Sequence, residues 1–569
     1  MILQALYEYY QRKAADPESG IAPEGWEWKE IPFLVVINSD GYFLRIEDTR
    51  EGEGRKKRAK RFLVPQGEKR TGNIKAFLLW DNIEYALGAN PRKRKDIKER
   101  FGAFREKFTQ VSQIYPDIKA VDKFLVNGPV EQIEKSNSPL WPEMLEGNVF
   151  VTFKVEGSSY SIVCDALPKI MGKHVVGESA CLISGDTNVQ VARLHPSIKG
   201  VRGTNTSGAA IVSFNLPAFC SYGKEQNKNA PVSDKAAFAY TTALNVLLGK
   251  DSINKVSLGD TSIVFWAQKK EEVVDLESNF VWVFRSDKDD TERGVNAVKA
   301  IFNAVESGRL PQVEDNRFYV LGLAPNAARI SVRFWKTGTI RDFAEKIYRH
   351  FQDLEIIRPV QDRYEFLSLY QILGATVLEY KVDKIPPNLA GAVVVSILDG
   401  SPYPRTLLQQ CVRRIRAEQH VNRARAAILK ACINRFNRIH NPQTKEVLVS
   451  LDRINTDTGY RVGRLFAVLE KIQEEANPGI NTTIRDRFYG AASATPVTVF
   501  PQLLKLKNHH LPKLSPGRKI NMEKEIQDII GEMKGFPSHM TLDQQAMFAI
   551  GYYHQRQDFF VSKKDLNNE

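Results

Sequence analysis

The sequence predicts an α+β protein: an N-terminal mixed-sheet region followed by a C-terminal α-helical bundle. Short apolar runs of strand length, one with a hairpin signal, are interleaved with helical patterns in the first part of the chain. Amphipathic helical runs separated by Asn, Pro and Gly breakers fill the remainder. At 569 residues, the chain exceeds what one core usually organises. The Pro386-Pro387 and Ser401-Pro402 turns set a boundary near residue 400, giving domains 1–400 and 401–569.

Residues 1–15 form a short helix with Leu3, Leu6, Tyr7 and Tyr10 on one face. Leu34 to Ile37 and Tyr42 to Ile46, joined by Asn38-Ser-Asp-Gly41, spell a hairpin. A charged loop runs from Glu51 to Arg61, and Ile97 to Ser112 has helical spacing. Asn148–Lys154 and Ser262–Ala267 are strands, with a buried helix, Lys235 to Leu248, between them. Arg317–Leu321 and Arg329–Trp335 pair, and Thr339 caps a helix reaching Phe351. Beyond Tyr403, helices are expected over Arg405–Ile439, Thr456–Gln473, Ile484–Ala492, Asn521–Lys534 and Thr541–Phe560; the short connections argue for a bundle.

Hydrophobic residues make up 43% of the chain, enough for substantial cores and too many for a disordered protein. Lys and Arg number 80 against 67 Asp and Glu, a formal charge of +13, so a polyanion is the expected partner. The five scattered cysteines contain no Cys-x-x-Cys pair, which fits reduced thiols rather than disulfides or zinc. The N-terminal residues lack a signal-peptide pattern, and no apolar stretch is long enough to span a membrane. A cytoplasmic protein without a membrane partner is expected.

Val191 to Asn245 is the most informative stretch. Lys199-Gly-Val-Arg202-Gly203 offers two cations on backbone that glycine leaves approachable, the chemistry that suits a phosphate chain. Asn205, Thr206, Ser207, Asn227 and Asn229 add short hydrogen-bonding side chains. His195 has no recognisable acid or nucleophile beside it and reads as structural. A second basic run, Arg55–Arg61 with Lys69 and Arg70 behind it, could follow a phosphate backbone or simply be a solvated loop. The third is the arginine-rich helix, where Arg416 and Arg423 share a face and Glu418 is the sole acid; a cationic face suits a displaced single strand. No nucleotide-hydrolysis, metalloprotease or nucleophile-elbow motif occurs, so neither covalent chemistry nor a cofactor is expected.

Arg193-Leu-His195-Pro, Lys199-Gly-Val-Arg202-Gly203, Ser213-Phe214-Asn215, Tyr222-Gly-Lys224-Glu225-Gln226 and Asn229-Ala-Pro231-Val232-Ser233 follow one another as in one known family. So do Met1 to Tyr7, Leu63 to Asn82 and Leu321 to Arg329. In these segments the chain resembles the large subunit of the type I-C CRISPR surveillance complex, Cascade. The matches cover roughly the first three-fifths; the last third resembles the family only in being basic and helical.

The resemblance implies a non-catalytic prokaryotic subunit whose partners are guide RNA, target double-stranded DNA, other Cascade subunits and a separately recruited helicase–nuclease. It implies an N-terminal region that reads the protospacer-adjacent motif, with Lys69, Arg70 and Asn73 as first candidates. It further implies help in seating the guide's 5′ handle and in supporting the R-loop. Two rivals stand beside it: a nucleic-acid-processing enzyme with an unrecognised site, and a structural protein that binds an acidic protein.

Overall fold

The computed structural model describes the chain outside residues 54–56, 68, 69, 71–73, 169–175, 270–290, 308–315, 360, 363, 382, 383, 387 and 561–569. Helix takes 48% and strand 15%, with sheets first and helices toward the C-terminus, so the chain is α+β. It divides into two compact units, Met1–Ile198 with Val212–Val246 and Lys199–Ile211 with Leu247–Glu569.

The first unit holds β1 (Trp26–Glu30), β2 (Phe33–Ile37), β3 (Phe43–Asp48), β4 (Arg50–Glu51), β5 (Arg58–Ala59), β6 (Arg61–Pro65), β7 (Trp80–Asn82), β8 (Phe150–Val155) and β9 (Val176–Ser179). Its main sheet has the order β3-β2-β8-β7, with β2 and β8 parallel and the outer pairs antiparallel. Central β2 is buried at every position, which is why Phe33–Ile37 reads as an unbroken apolar run. The β2–β3 hairpin forms as expected. Asn38 Oδ1 accepts from Asp40 N (3.1 Å) and Tyr42 N (2.8 Å), and Gly41 has φ 85°. Phe104 and Phe108 of the helix Ile97–Ser112, and Phe124 of Pro116–Val126, close around Phe153 of β8. β1 pairs with β6, and β4 with β5, as antiparallel ribbons.

The second unit holds β10 (Lys255–Leu258), β11 (Thr261–Ala267), β12 (Arg317–Asn326) and β13 (Arg329–Thr339), antiparallel in that order. One face of this sheet, with Ile263, Phe265, Phe318 and Val320, packs against Phe343, Ile347 and Phe351 of the helix Ile340–Leu354. Thr339 caps that helix in a reciprocal box with Asp342.

The boundary expected near residue 400 is not where the contacts part. Val393, Val394 and Ile397 of the helix Leu389–Asp399 lie in one core with the sheet and with Phe466, Phe548 and Tyr552. The helices at 401–569 use the sheet-bearing layer as their apolar floor, so cutting at 400 would expose both.

Candidate nucleic-acid interface

The loop Lys199–Ile211 belongs to the second unit and is pinned to its sheet at both ends. Arg202 N donates to Ser262 Oγ on β11 (3.0 Å). Lys255 Nζ donates to the carbonyls of Gly200 (2.8 Å) and Leu248 (2.9 Å), and its burial lowers its pKa. Gly200 has φ 92°, and a Cβ there would stand 2.5 Å from the Leu248 carbonyl oxygen, so only glycine fits. At the other end Ala210 N donates to Ala328 O (3.4 Å) and Ile330 N to Ala210 O (2.9 Å).

Between these anchors the backbone ties itself into turns. Thr204 Oγ1 donates to Val201 O (2.8 Å) and Gly208 N to Asn205 O (2.9 Å). Lys199, Arg202, Asn205 and Ser207 are all exposed along this short stretch, which contains no acid. The structure therefore brings four candidate residues together on a braced loop. Lys255 and Ser262, which brace it, were not legible as functional: in sequence both look like ordinary strand residues.

Asn227 and Asn229 lie in the first unit and serve the fold. Asn227 is buried, with Nδ2 donating to Arg193 O (3.1 Å). Asn229 accepts from Ser221 N (2.9 Å) and donates to the carbonyls of Lys224 (3.0 Å) and Gln226 (2.8 Å). Their side chains are committed to stitching a turn, which corrects the expectation that they reach outward. Tyr222, at 99% exposed, is what this turn presents. His195 is buried against Tyr240, its Nδ1 2.7 Å from the phenol oxygen, and burial pushes its pKa down to about 4.

Arg70 is also committed internally. Its Nε donates to Lys75 O (2.7 Å) and its terminal nitrogen meets the buried Asp81 carboxylate. The guanidinium lies 4.0 Å from the Phe77 ring and 3.9 Å from the Tyr85 ring. It anchors its loop rather than standing ready for phosphate. Lys69 and Asn73 lie outside the described residues, as do Arg55 and Lys56. In the rest of that basic run Lys57 pairs with Asp48 (3.6 Å), while Lys60 and Arg61 lie over Phe62 and Trp28.

The arginine-rich run is two helices, Arg405–Glu418 and Arg423–His440, broken at left-handed Gln419. Its cationic face differs from the expectation. Arg423 is buried, bonded to Asp362 (3.1 Å) and to the carbonyls of Tyr364 and Glu365. Arg425 meets Glu418, and Arg435 and Arg438 share Asp353. The scarcity of acids within the run misled because most of the carboxylates come from elsewhere in the chain. Arg413 and Arg416 remain exposed, with no ion pair among the described residues.

Among the described residues no group of three or more His, Cys, Asp and Glu side chains could hold a metal ion, and no helix is long and apolar enough to cross a membrane. A family model described as CRISPR-associated protein Csd1 matches residues 6–560. A comparison with curated proteins gave no match.

Proposed function

We propose a role that proceeds from one premise: this chain belongs to the CRISPR-associated protein Csd1 family, that of the type I-C Cascade large subunit. As a Cascade subunit it works with the other subunits of that complex. Within it, we assign the chain recognition of the protospacer-adjacent motif in duplex DNA, help in seating the guide RNA 5′ handle, support of the R-loop, and recruitment of the helicase–nuclease. Sequence reading by guide pairing and motif reading by protein is the division of labour in RNA-guided systems. The chain would bind and position, leaving covalent chemistry to the recruited enzyme.

The observation that carries this reading is the braced loop with Lys199, Arg202, Asn205 and Ser207 exposed together. Two exposed cations on turn-forming backbone suit phosphate oxygens, and fixing the loop to a sheet lowers the ordering cost of binding. Lys199→Ala with Arg202→Ala in the assembled complex should weaken binding and reduce the salt slope by about 0.9 per lost duplex phosphate contact. A slope identical to wild type would remove the loop from the interface. Motif reading is tested separately. Asn73→Ala should cost about 1–3 kcal/mol of discrimination between good and bad flanking motifs if Asn73 meets a base edge. Equal weakening on every sequence would reassign it to the backbone.

A further inference from the structure

Where the helix Arg405–Glu418 hands over to Arg423–His440, the second unit has a cavity of about 390 Å3. That is the lower part of the range, roughly 300–1,000 Å3, in which organic ligands are held. Tyr380 stands at it, 49% exposed, on an unusual backbone: Glu379 (φ 56°) and Tyr380 (φ 55°) are consecutive left-handed non-glycine residues. Such conformations persist where the surroundings over-determine them, often at ligand sites. The Tyr380 phenol is hydrogen-bonded by Asn422 Nδ2, and Asn422 Oδ1 caps the second helix through Arg425 N (2.9 Å). Tyr553, buried behind it, is fixed by its hydroxyl donating to Ile357 O (2.8 Å).

The polar groups here are few and placed. Arg423 spends its terminal nitrogens on Asp362, Tyr364 O and Glu365 O, while its buried Nε has no hydrogen-bond partner among the described residues. His420 lines the same cavity; burial, then Arg425 and Arg485, lowers its pKa, so at neutral pH it offers one donor and one acceptor. Exposed Arg416 lies four residues before it, and Arg413 one turn further back. A half-exposed tyrosine at the cavity, an exposed imidazole beside it and exposed arginines on the preceding helix suit a planar heterocycle on a phosphate chain.

From this we infer that the cavity accepts one unstacked base of single-stranded DNA whose phosphates run along Arg413 and Arg416. The inference rests on the R-loop role proposed above and narrows it to one site.

The test uses the full chain and two fluorescent single strands of equal length, one with bases and one made wholly of abasic residues. Wild type should bind the base-bearing strand about tenfold more tightly, the scale of one stacked base. Ala424→Phe, which fills the cavity, and Tyr380→Ala, which removes its edge, should each erase that preference and leave abasic binding unchanged. Arg413→Ala with Arg416→Ala should weaken both strands equally. Tyr380 is half-exposed, so that variant keeps the test open if Ala424→Phe fails to fold. Equal binding of both strands by wild type, or a preference surviving both cavity variants, overturns the site and leaves the R-loop role standing. Binding of neither strand overturns the R-loop role and the site with it. Competition by free deoxynucleoside monophosphate at strand-like concentrations would make this a nucleotide site and overturn the inference.

Discussion

Arginines of this chain do two opposite jobs, and burial separates them. Arg435 is 2% exposed and holds Asp353, itself 1% exposed, through a 2.7 Å contact, while Arg438 takes the other carboxylate oxygen at 2.8 Å. Removing Arg435 leaves this buried carboxylate with one of these two guanidinium partners, where water cannot replace the other. Arg435→Met should therefore cost about 3–5 kcal/mol in a denaturant melt, while the salt slope of binding by the folded fraction stays unchanged. Lys199→Ala with Arg202→Ala should show the reverse, a stability change within about 0.5 kcal/mol and a smaller salt slope. If Arg435→Met lowered the slope and spared stability, the division drawn here would fail. The sequence could not supply it. Asp353 lies 82 residues before Arg435, so the run reads as an unpaired cationic face until the fold delivers its carboxylates.

Glycine separates in the same way at the level of helices. Thr458–Ala476 and Leu542–Asp558 cross with their backbones almost touching. A Cβ on Gly463 would meet the Phe548 carbonyl oxygen at 2.0 Å, and one on Gly551 would meet that of Tyr460 at 2.1 Å. Backbone cannot rotate aside as a side chain can, so Gly463→Ala must part the helices and should cost about 1–3 kcal/mol. Gly490, inside Ile484–Ala494, has open space where its Cβ would go. Gly490→Ala should gain about 0.5–1 kcal/mol, because alanine loses less backbone freedom in a helix. Paired thermal melts of the two variants check both signs. Most element types were legible where periodicity was long: Ile97–Ser112 forms over the span expected, and the strands at 262–267 and 317–335 are where their apolar runs lie. The helix Pro496–His510 was missed because Pro501 sits inside it and β-branched residues open it. The break at Gln419 was missed because glutamine carries no turn signal, although the backbone there is left-handed.

Across the whole molecule, the loop's legibility and the cavity's opacity have one cause. Lys199–Ser207 is contiguous in sequence, so its chemistry can be read along the chain; the cavity gathers Tyr380, His420 and Tyr553 from three distant segments. The same gathering buries histidines in both units, and this fixes the pH response. His195 in the first unit is driven down to about 4, and in the second unit His554 to about 3 and His350 well below its usual value, burial being the leading cause each time. A depressed folded-state pKa means that the unfolded chain takes up the proton first, near pH 6.5. The stability these neutral imidazoles contribute is thus complete above about pH 6.5 and is lost as pH falls toward the folded-state values. Each histidine contributes up to about 1.4 kcal/mol per pH unit, and burial also lowers His420 and His510 in the second unit, so that unit should weaken more steeply than the first between pH 6.5 and 5. Hydrogen exchange followed by mass spectrometry resolves the units separately. His195→Asn can keep a hydrogen bond to Tyr240 without titrating, and should flatten the slope in the first unit while leaving the second as it was. A first-unit slope unmoved by that substitution would mean that another group carries the proton.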